Sequence, residues 1–371
     1  FKQIGLGIQN YHSAFKQLPV HMAGTHRVPT QGDWFNTYGD DCNMMMLSVF
    51  VGLTPYIEQQ ALWEEISNPN SVDLTAPDTP RSPPWPAMGP TPTDEDNAIV
   101  IVNTRNTAYA PWMTEIPTLR CPSDPGVGQP AMGRTNYAAC LGDALDATEN
   151  GPYWWDLRGA PKLVQNTASA IDIRAAGRGV FVARTATKFR DVLDGLSNTI
   201  MAGEIATELG DRNASTLPHS FAPGSLAGLR DNPTACRGDL DPERPQFWLD
   251  SVTDVLAGNQ GRGFRWASGC QPYTGMNTIL PPNTETCMSV EDQTAGVLSA
   301  SSQHQGGAHV LMGDGAVIFV TDSIEAGDSN SGTVYDGATG TRYPGAASPY
   351  GLWGALGTKA CKETIEEQLN Q

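Results

Sequence analysis

Two apolar runs that flank Asp314 and Gly315 constrain the fold of this chain more than any other feature. Residues 308–320 read AHVLMGDGAVIFV. An Asp-Gly pair between apolar runs predicts a β-hairpin with a type I′ turn, because both central positions accept a positive φ. This turn would set Met312 opposite Val317. Both strands are apolar on successive residues, so we expect the hairpin to be covered on both faces.

The first residues of the sequence carry the pattern of an amphipathic helix. Apolar side chains recur at steps of three and four, at Phe1, Ile4, Ile8, Tyr11 and Phe15. We predict a helix over residues 1–17, ended by Pro19, whose ring would clash with the preceding turn. No capping residue precedes the pattern, so we expect the tail end of a longer helix, with a short self-contained helix as the alternative.

A helix followed by hairpin-linked strands predicts an α+β fold. We expect an N-terminal helix packed on an antiparallel β-sheet, within a single domain that spans residues 1–371. The 39 Gly and 28 Pro predict long loop-rich insertions. The clearest are a Pro-rich surface insertion at residues 68–96 and an inserted loop at residues 271–286.

Charge and hydropathy limit the possible partners. The net charge is −17, from 23 Lys and Arg against 40 Asp and Glu. This balance argues against nucleic acid or an anionic membrane surface as partner, because both attract basic side chains. The longest apolar run, residues 44–53, is about half of the roughly 20 residues that a bilayer-spanning helix needs. We therefore expect no membrane-spanning helix in this sequence.

The seven cysteines are scattered, without a C-x-x-C pair or a Cys/His cluster at zinc spacing, so we expect no zinc knuckle. The low charged fraction of 17% is typical of an extracytoplasmic protein, where disulfides persist. Seven buried thiols in a cytosolic protein are the alternative. We expect at least two disulfides, first between Cys270 and Cys287, which bracket residues 271–286. Cys121 and Cys140 are the further candidates, although spacing leaves the pairing open.

The sequence has no phosphate-binding loop, zinc-protease motif or nucleophile elbow. Their absence does not exclude an enzyme and leaves a metal site open, but we expect no catalytic residues, no cofactor apart from a possible calcium ion, and a protein that is not an enzyme. Calcium is the one ion considered, at the acidic runs 239–243 (DLDPE) and 328–332 (DSNSG). Neither run completes a calcium-binding loop, and solvated turns are the preferred interpretation.

His304 and the Asp314-Gly315 pair are expected to be structural. Asp314 and Gly315 would form the hairpin tip, and hydrogen bonds from His304 would fix the loop that enters the first strand. A carbohydrate-binding or carbohydrate-cleaving protein is the rival interpretation, because aromatic rings can stack on sugars. Its candidate platforms are Trp34, Trp85, Trp112, Trp154, Trp155 and Trp248.

Several segments resemble the landmarks of the planctomycetal prepilin-type family, whose large extracytoplasmic domain has no assigned function. The resemblance covers residues 1 to about 360, with His304 and the Asp314-Gly315 pair among its later landmarks. The other segments, in chain order, are 1–12 (FKQIGLGIQNYH), 53–60 (LTPYIEQQ), 117–125 (PTLRCPSDP), 135–137 (TNY), 189–204 (FRDVLDGLSNTIMAGE) and 353–358 (WGALGT).

The resemblance implies a pilin-like or pseudopilin-like structural subunit outside the cytoplasmic membrane. Its partners would be copies of itself or other pilin-like subunits, with surface glycans as a further possibility. A full-length precursor would carry an upstream prepilin cleavage signal and an apolar helix that anchors it in the inner membrane. The resemblance supplies no activity, so this role rests on architecture.

Overall fold

A computed structural model describes residues 1–26, 42–93, 96–97, 102–103, 106–156, 162–220 and 225–362. Its α-helices are α1 (Lys2–Phe15), α2 (Val49–Leu53), α3 (Gln60–Ser67), α4 (Ala110–Met113), α5 (Thr167–Ala176), α6 (Leu226–Asp231), α7 (Gln271–Thr274) and α8 (Gly351–Gly357). Its strands are β1 (Asp96–Asn97), β2 (Val102–Asn103), β3 (Tyr137–Cys140), β4 (Tyr153–Asp156), β5 (Lys162–Gln165), β6 (Ile200–Glu204), β7 (His219–Ser220), β8 (Gly275–Met276), β9 (Cys287–Met288), β10 (Gly296–Val297), β11 (Gly307–Met312) and β12 (Val317–Thr321). Within these ranges, no helix combines the length and the apolarity needed to cross a membrane.

The protein has an α+β fold, as expected, with several small sheets around one of five strands. The order in the large sheet is β12-β11-β6-β3-β8. All neighbours are antiparallel except β3 and β8. The centre is therefore built from segments that are far apart in the chain, since β3, β6 and β11 begin at residues 137, 200 and 307.

The two faces of this sheet are covered by different parts of the chain. Successive side chains of a strand point to opposite faces. Thus Tyr137, Ala139 and Leu311 join the apolar cluster that contains α1. Ala138 and Val310 belong to a second cluster that includes residues of α8. The coverage expected on both faces of the hairpin strands is present for β11, whereas β12 is an edge strand that alternates between buried and more exposed residues.

Helix α1 packs closely against the sheet. Ile4 and Ile8 are buried, while Phe15 is 56% exposed. At Gly5, a Cβ atom would lie 2.9 Å from a methyl carbon of Leu311, so glycine permits the close approach. The Nε2 atom of Gln9 also donates to the Gly313 carbonyl, at 3.0 Å. The helix therefore lies beside the tip of the β11–β12 hairpin.

The hairpin tip differs from the predicted turn. Leu311 pairs with Val317, so the register is shifted by one residue from the expected pairing of Met312 with Val317. Gly315 has a φ of 93°, and its N–H donates to the Met312 carbonyl at 3.0 Å. Asp314 keeps a negative φ, so the tip is a type I turn followed by a glycine bulge rather than a type I′ turn.

Replacing Gly315 with valine is expected to lower the free energy of unfolding by about 1–3 kcal/mol, because a β-branched residue is strained at positive φ. A Cβ atom at this position would meet nothing within 4 Å, so the loss would come from the backbone alone. Urea denaturation of Gly315→Val measures it, with Gly315→Asn as control, since asparagine tolerates the left-handed region better. An equal loss in both variants would contradict this account.

The disulfide prediction is wrong in both pairing and number. Cys287 is bonded to Cys236, not to Cys270. Cys287 lies in β9, in an apolar cluster with Cys236, whereas Cys270 belongs to a separate cluster around Phe264. The other cysteines, including Cys121 and Cys140, are thiols, so the structure has fewer disulfides than the two expected.

The two expected insertions have different structures. Residues 271–280 are buried and supply α7 and β8, which pairs with β3 at the centre of the fold. The segment 271–286 is therefore part of the core rather than an inserted loop. In the described part of 68–96, residues 74–80 are exposed. Trp85 anchors this Pro-rich segment, because its buried Nε1 donates to the Val72 carbonyl at 2.9 Å.

Candidate functional site

The predicted structural residues lie at two different ends of β11. His304 precedes this strand, and the Asp314-Gly315 tip follows it. Asp314 accepts a hydrogen bond from the Ala316 N–H at 2.9 Å within the turn, and its own N–H donates to the Leu196 carbonyl at 3.2 Å. The fixed spacing of His304 and Asp314 in the sequence therefore does not define one site, and His304 takes part in another arrangement.

His304 belongs to a group with Cys121 and Glu204, which we call the Cys-Glu-His cluster. The Nε2 atom of His304 lies 3.2 Å from Oε1 of Glu204 and 3.6 Å from Sγ of Cys121. One ligand atom from each of the three side chains falls within 4.8 Å of the other two. Among the described residues, this is the place where three such groups could hold a metal ion.

Strand pairing places Glu204 at the centre of this cluster. Glu204 ends β6 and pairs with Tyr137 of β3. Its side chain is 3% exposed. The Oε2 atom accepts a hydrogen bond from the backbone N–H of His309 at 3.1 Å, and Nδ1 of the same residue lies 2.9 Å away. His309 therefore fixes the carboxylate and leaves Oε1 facing His304.

A buried network holds the loop that carries Cys121. The Cys121 N–H donates to Oδ1 of Asn136 at 2.9 Å, and the amide of Asn136 donates to Asp124 at 2.7 Å. Asp124 also accepts from the backbone and the hydroxyl of Thr207, at 2.7 and 2.8 Å. The loop after residue 120 is thus tied to β3 and to the segment that follows β6.

The cluster is only partly exposed to solvent. The side chains of His304 and His309 are 31% and 36% exposed, and Cys121 lines a surface pocket of about 300 Å³. Burial raises the pKa of the Cys121 thiol, and the neighbouring Glu204 carboxylate raises it further. A nucleophilic cysteine needs a lowered pKa, so this environment does not favour the thiolate that covalent catalysis would use.

The His304 imidazole bonds to side chains rather than to the backbone. The Glu204 contact ties the loop before β11 to β6, so His304 does connect this loop to the sheet. The loop itself is closed by Ser302, whose Oγ donates to the Gly307 carbonyl at 2.6 Å. Ser302 Oγ also accepts from the His304 N–H at 2.9 Å.

Sequence reasoning missed Cys121, Glu204 and His309 as parts of one arrangement. The three residues of the cluster lie in separate parts of the chain, so they do not form a short sequence motif with the spacing of metal ligands. The available signal was the segments quoted for the family resemblance. Cys121, Glu204 and His304 each occur in one of them.

The acidic runs considered for calcium have other contacts. Oδ2 of Asp239 lies 2.9 Å from Nε2 of His219. Asp241 accepts a hydrogen bond from Arg244, at 2.9 Å. Asp328 accepts from the Asn330 N–H at 3.0 Å. These contacts are typical of surface turns and ion pairs.

Three of the six proposed sugar-stacking residues are buried. Trp34 lies outside the described residues, as does the side chain of Trp155. Trp154 is 49% exposed. Three others are at most 2% exposed and donate their indole N–H to backbone carbonyls: Trp85, Trp112 and Trp248.

The fold and the site define an α+β domain with a mixed sulfur, nitrogen and oxygen cluster beside its main sheet. The chain belongs to the family SBP_bac_10, described as "Protein of unknown function (DUF1559)", whose sequence model matches residues 1–327. No curated protein and no solved structure matches the chain. The family description assigns no activity.

Proposed function

We propose that this chain is the extracytoplasmic domain of a pilin-like or pseudopilin-like structural subunit, and that it acts in assembly rather than in catalysis. Its partners would be copies of itself or other pilin-like subunits of a cell-surface or secretion-related filament. The observation that carries the proposal is the packing of α1 on the central sheet, the arrangement predicted from the sequence pattern, together with the family resemblance, which implies a pilin-like subunit.

The outer face of α1 supports an assembly role. Ile4, Gly5 and Ile8 face the protein core, whereas Leu6 is 56% exposed. It lies on the opposite face of the helix, among the exposed polar residues Lys2, Gln3 and Asn10. An adjacent subunit in a filament would cover this leucine.

The disulfide supports a location outside the cytoplasm. Cys236 and Cys287 are each 1% exposed and bonded to one another. Disulfides persist in oxidising compartments and are rare where thioredoxin and glutathione keep thiols reduced. The pair therefore favours an extracytoplasmic domain over a cytosolic one.

Electron microscopy of native cells that express the full-length protein tests the proposal. Antibodies against this domain are expected to label filaments at the cell surface in electron micrographs. Labelling confined to the cytoplasm would overturn the proposal. Purification of the protein as a monomer that binds glycans on an array would also overturn it. The glycan result would favour the carbohydrate-binding alternative, with Trp154 as its exposed platform.

Replacing Leu6 with glutamate in the full-length protein is expected to reduce sedimentable filaments at least tenfold, because a charge on the outer face of α1 would have to be buried against a neighbouring subunit. The matched control is Val127→Glu, since Val127 is 81% exposed and lies outside α1. Both variants should keep the melting temperature of the unchanged protein. Equal filament yields from the two variants would show that α1 is not the contact face.

A further inference from the structure

We propose that Cys121, Glu204 and His304 form a binding site for Zn²⁺ or a similar borderline-soft divalent ion such as Co²⁺. The Cys121 thiolate, the Glu204 carboxylate and Nε2 of His304 would supply three ligands. Solvent would supply the fourth. This inference goes beyond the proposed function, because neither the fold nor filament assembly requires an ion there.

Two of the three distances between ligand atoms fit a tetrahedral ion, and the third, from the Cys121 sulfur to a Glu204 carboxylate oxygen, is within 4.8 Å. With Zn–S at about 2.3 Å and Zn–N and Zn–O at about 2.0 Å, tetrahedral angles place sulfur about 3.5 Å from nitrogen and nitrogen about 3.3 Å from oxygen. The observed distances are 3.6 Å from Cys121 Sγ to His304 Nε2 and 3.2 Å from His304 Nε2 to Glu204 Oε1. An ion could therefore enter with little movement of the two pairs.

The chemistry of the three ligands selects the class of ion. Calcium and magnesium prefer a shell of oxygen atoms. Thiolate and imidazole favour zinc and its neighbours in the first transition row. Three protein ligands with one open position are the usual arrangement when zinc keeps a bound water.

Surrounding residues would hold the ligands in place. His309 bonds to Oε2 of Glu204, which leaves Oε1 for the ion. Asn136 and Asp124 fix the Cys121 loop through buried hydrogen bonds. Such outer contacts orient metal ligands and strengthen binding.

Charge and access also suit a divalent ion. A Cys121 thiolate and a Glu204 carboxylate carry two negative charges, which one divalent ion neutralises. Binding would transfer the thiol proton to solvent. The exposed third of the His304 side chain provides a path for the ion and for this proton.

Co²⁺ titration of the full chain tests the site directly. We expect one Co²⁺ per chain, with near-ultraviolet absorption from thiolate-to-cobalt charge transfer, and displacement of that band by Zn²⁺. The α-amino group of Phe1 lies close enough to interact with Cys121 and Glu204. The titration is therefore repeated on a chain with an N-terminal extension, in which a peptide bond replaces this amine. Absence of the thiolate band in the extended chain would overturn the proposal.

Matched variants identify the ligands. Cys121→Ser and His304→Ala are each expected to weaken Zn²⁺ binding at least 100-fold in competition with a chromophoric chelator, and His309→Gln by about 10–100-fold. The controls are Cys361→Ser and His12→Ala, which should bind as the unchanged protein does. If Cys121→Ser and His304→Ala keep the affinity of the controls, the site is not where we place it. Melting curves without metal establish that each variant is folded.

Discussion

Replacing Asp124 with alanine is expected to lower the free energy of unfolding by about 3–5 kcal/mol, because several buried donors lose their acceptor at about 1–3 kcal/mol each. The side chain of Asp124 is 1% exposed. Its carboxylate accepts hydrogen bonds from Asn136, Gly126 and both the backbone and hydroxyl of Thr207, at 2.7–2.9 Å. Arg120 lies 3.4 Å away. Alanine would leave the N–H groups of Gly126 and Thr207 and the Thr207 hydroxyl without this acceptor, and a buried donor without a partner is costly. The Asn136 amide would keep its bond to the Ile205 carbonyl.

Urea denaturation of Asp124→Ala measures the loss, with Asp78→Ala as the control. Asp78 is exposed, so its replacement should change the free energy of unfolding by no more than about 0.5 kcal/mol. Similar small changes in both variants would mean that the network around Asp124 contributes little. Because Asp124 holds the loop of Cys121, the folded fraction of Asp124→Ala should also bind Zn²⁺ more weakly than the control does.

Local sequence patterns predicted the helix and the hairpin that depend mainly on residues close together in the chain. Apolar residues at steps of three and four gave α1 in the expected place, since burial of Ile4 and Ile8 needs only the helical period. The Asp314-Gly315 pair located the hairpin. The turn type could not be predicted from that pair. In the structure Gly313 and Asp314 are the two central residues of the turn, and Gly315 is the bulge residue that follows them.

The candidate site could not be predicted in the same way. Cys121, Glu204 and His304 meet only because β6 pairs with both β3 and β11, and no local pattern specifies that order of strands. The apolar face of each short strand shows that it is buried, but not which neighbour covers it. A search for metal ligands at short spacings therefore finds none of the three.

The segment between Cys270 and Cys287 is a second case in which the local sequence did not predict the structure. Its Pro, Asn and Thr residues are typical of surface loops, yet Thr274, Asn277 and Thr278 are at most 2% exposed. Their polar groups are satisfied inside the protein; for example, Asn277 donates to the Gly296 carbonyl at 2.7 Å. Composition predicted an inserted loop because it carries no information about long-range hydrogen-bond partners.

Replacing Cys236 with alanine is expected to lower the free energy of unfolding by about 4 kcal/mol, from the chain entropy of the loop that the disulfide closes. Cys236 and Cys287 are 51 positions apart, and the bond links α6 and the helical turn after it to β9. Without the bond, the unfolded chain regains this freedom, while the folded state keeps its other contacts. Guanidinium denaturation of the oxidised protein and of Cys236→Ala measures the difference.

Three further measurements distinguish the effect of the disulfide bond on stability from the effect of losing a cysteine side chain. Reduction of the unchanged protein should reproduce most of the loss, and the double variant with Cys287→Ala should lose little more than Cys236→Ala, because both replacements break one bond. Cys361→Ser, which leaves the disulfide intact, should retain full stability. If the single and double replacements are additive, or if reduction leaves the unfolding midpoint unchanged, the two cysteines stabilise the fold by packing in their apolar cluster and not by closing a loop.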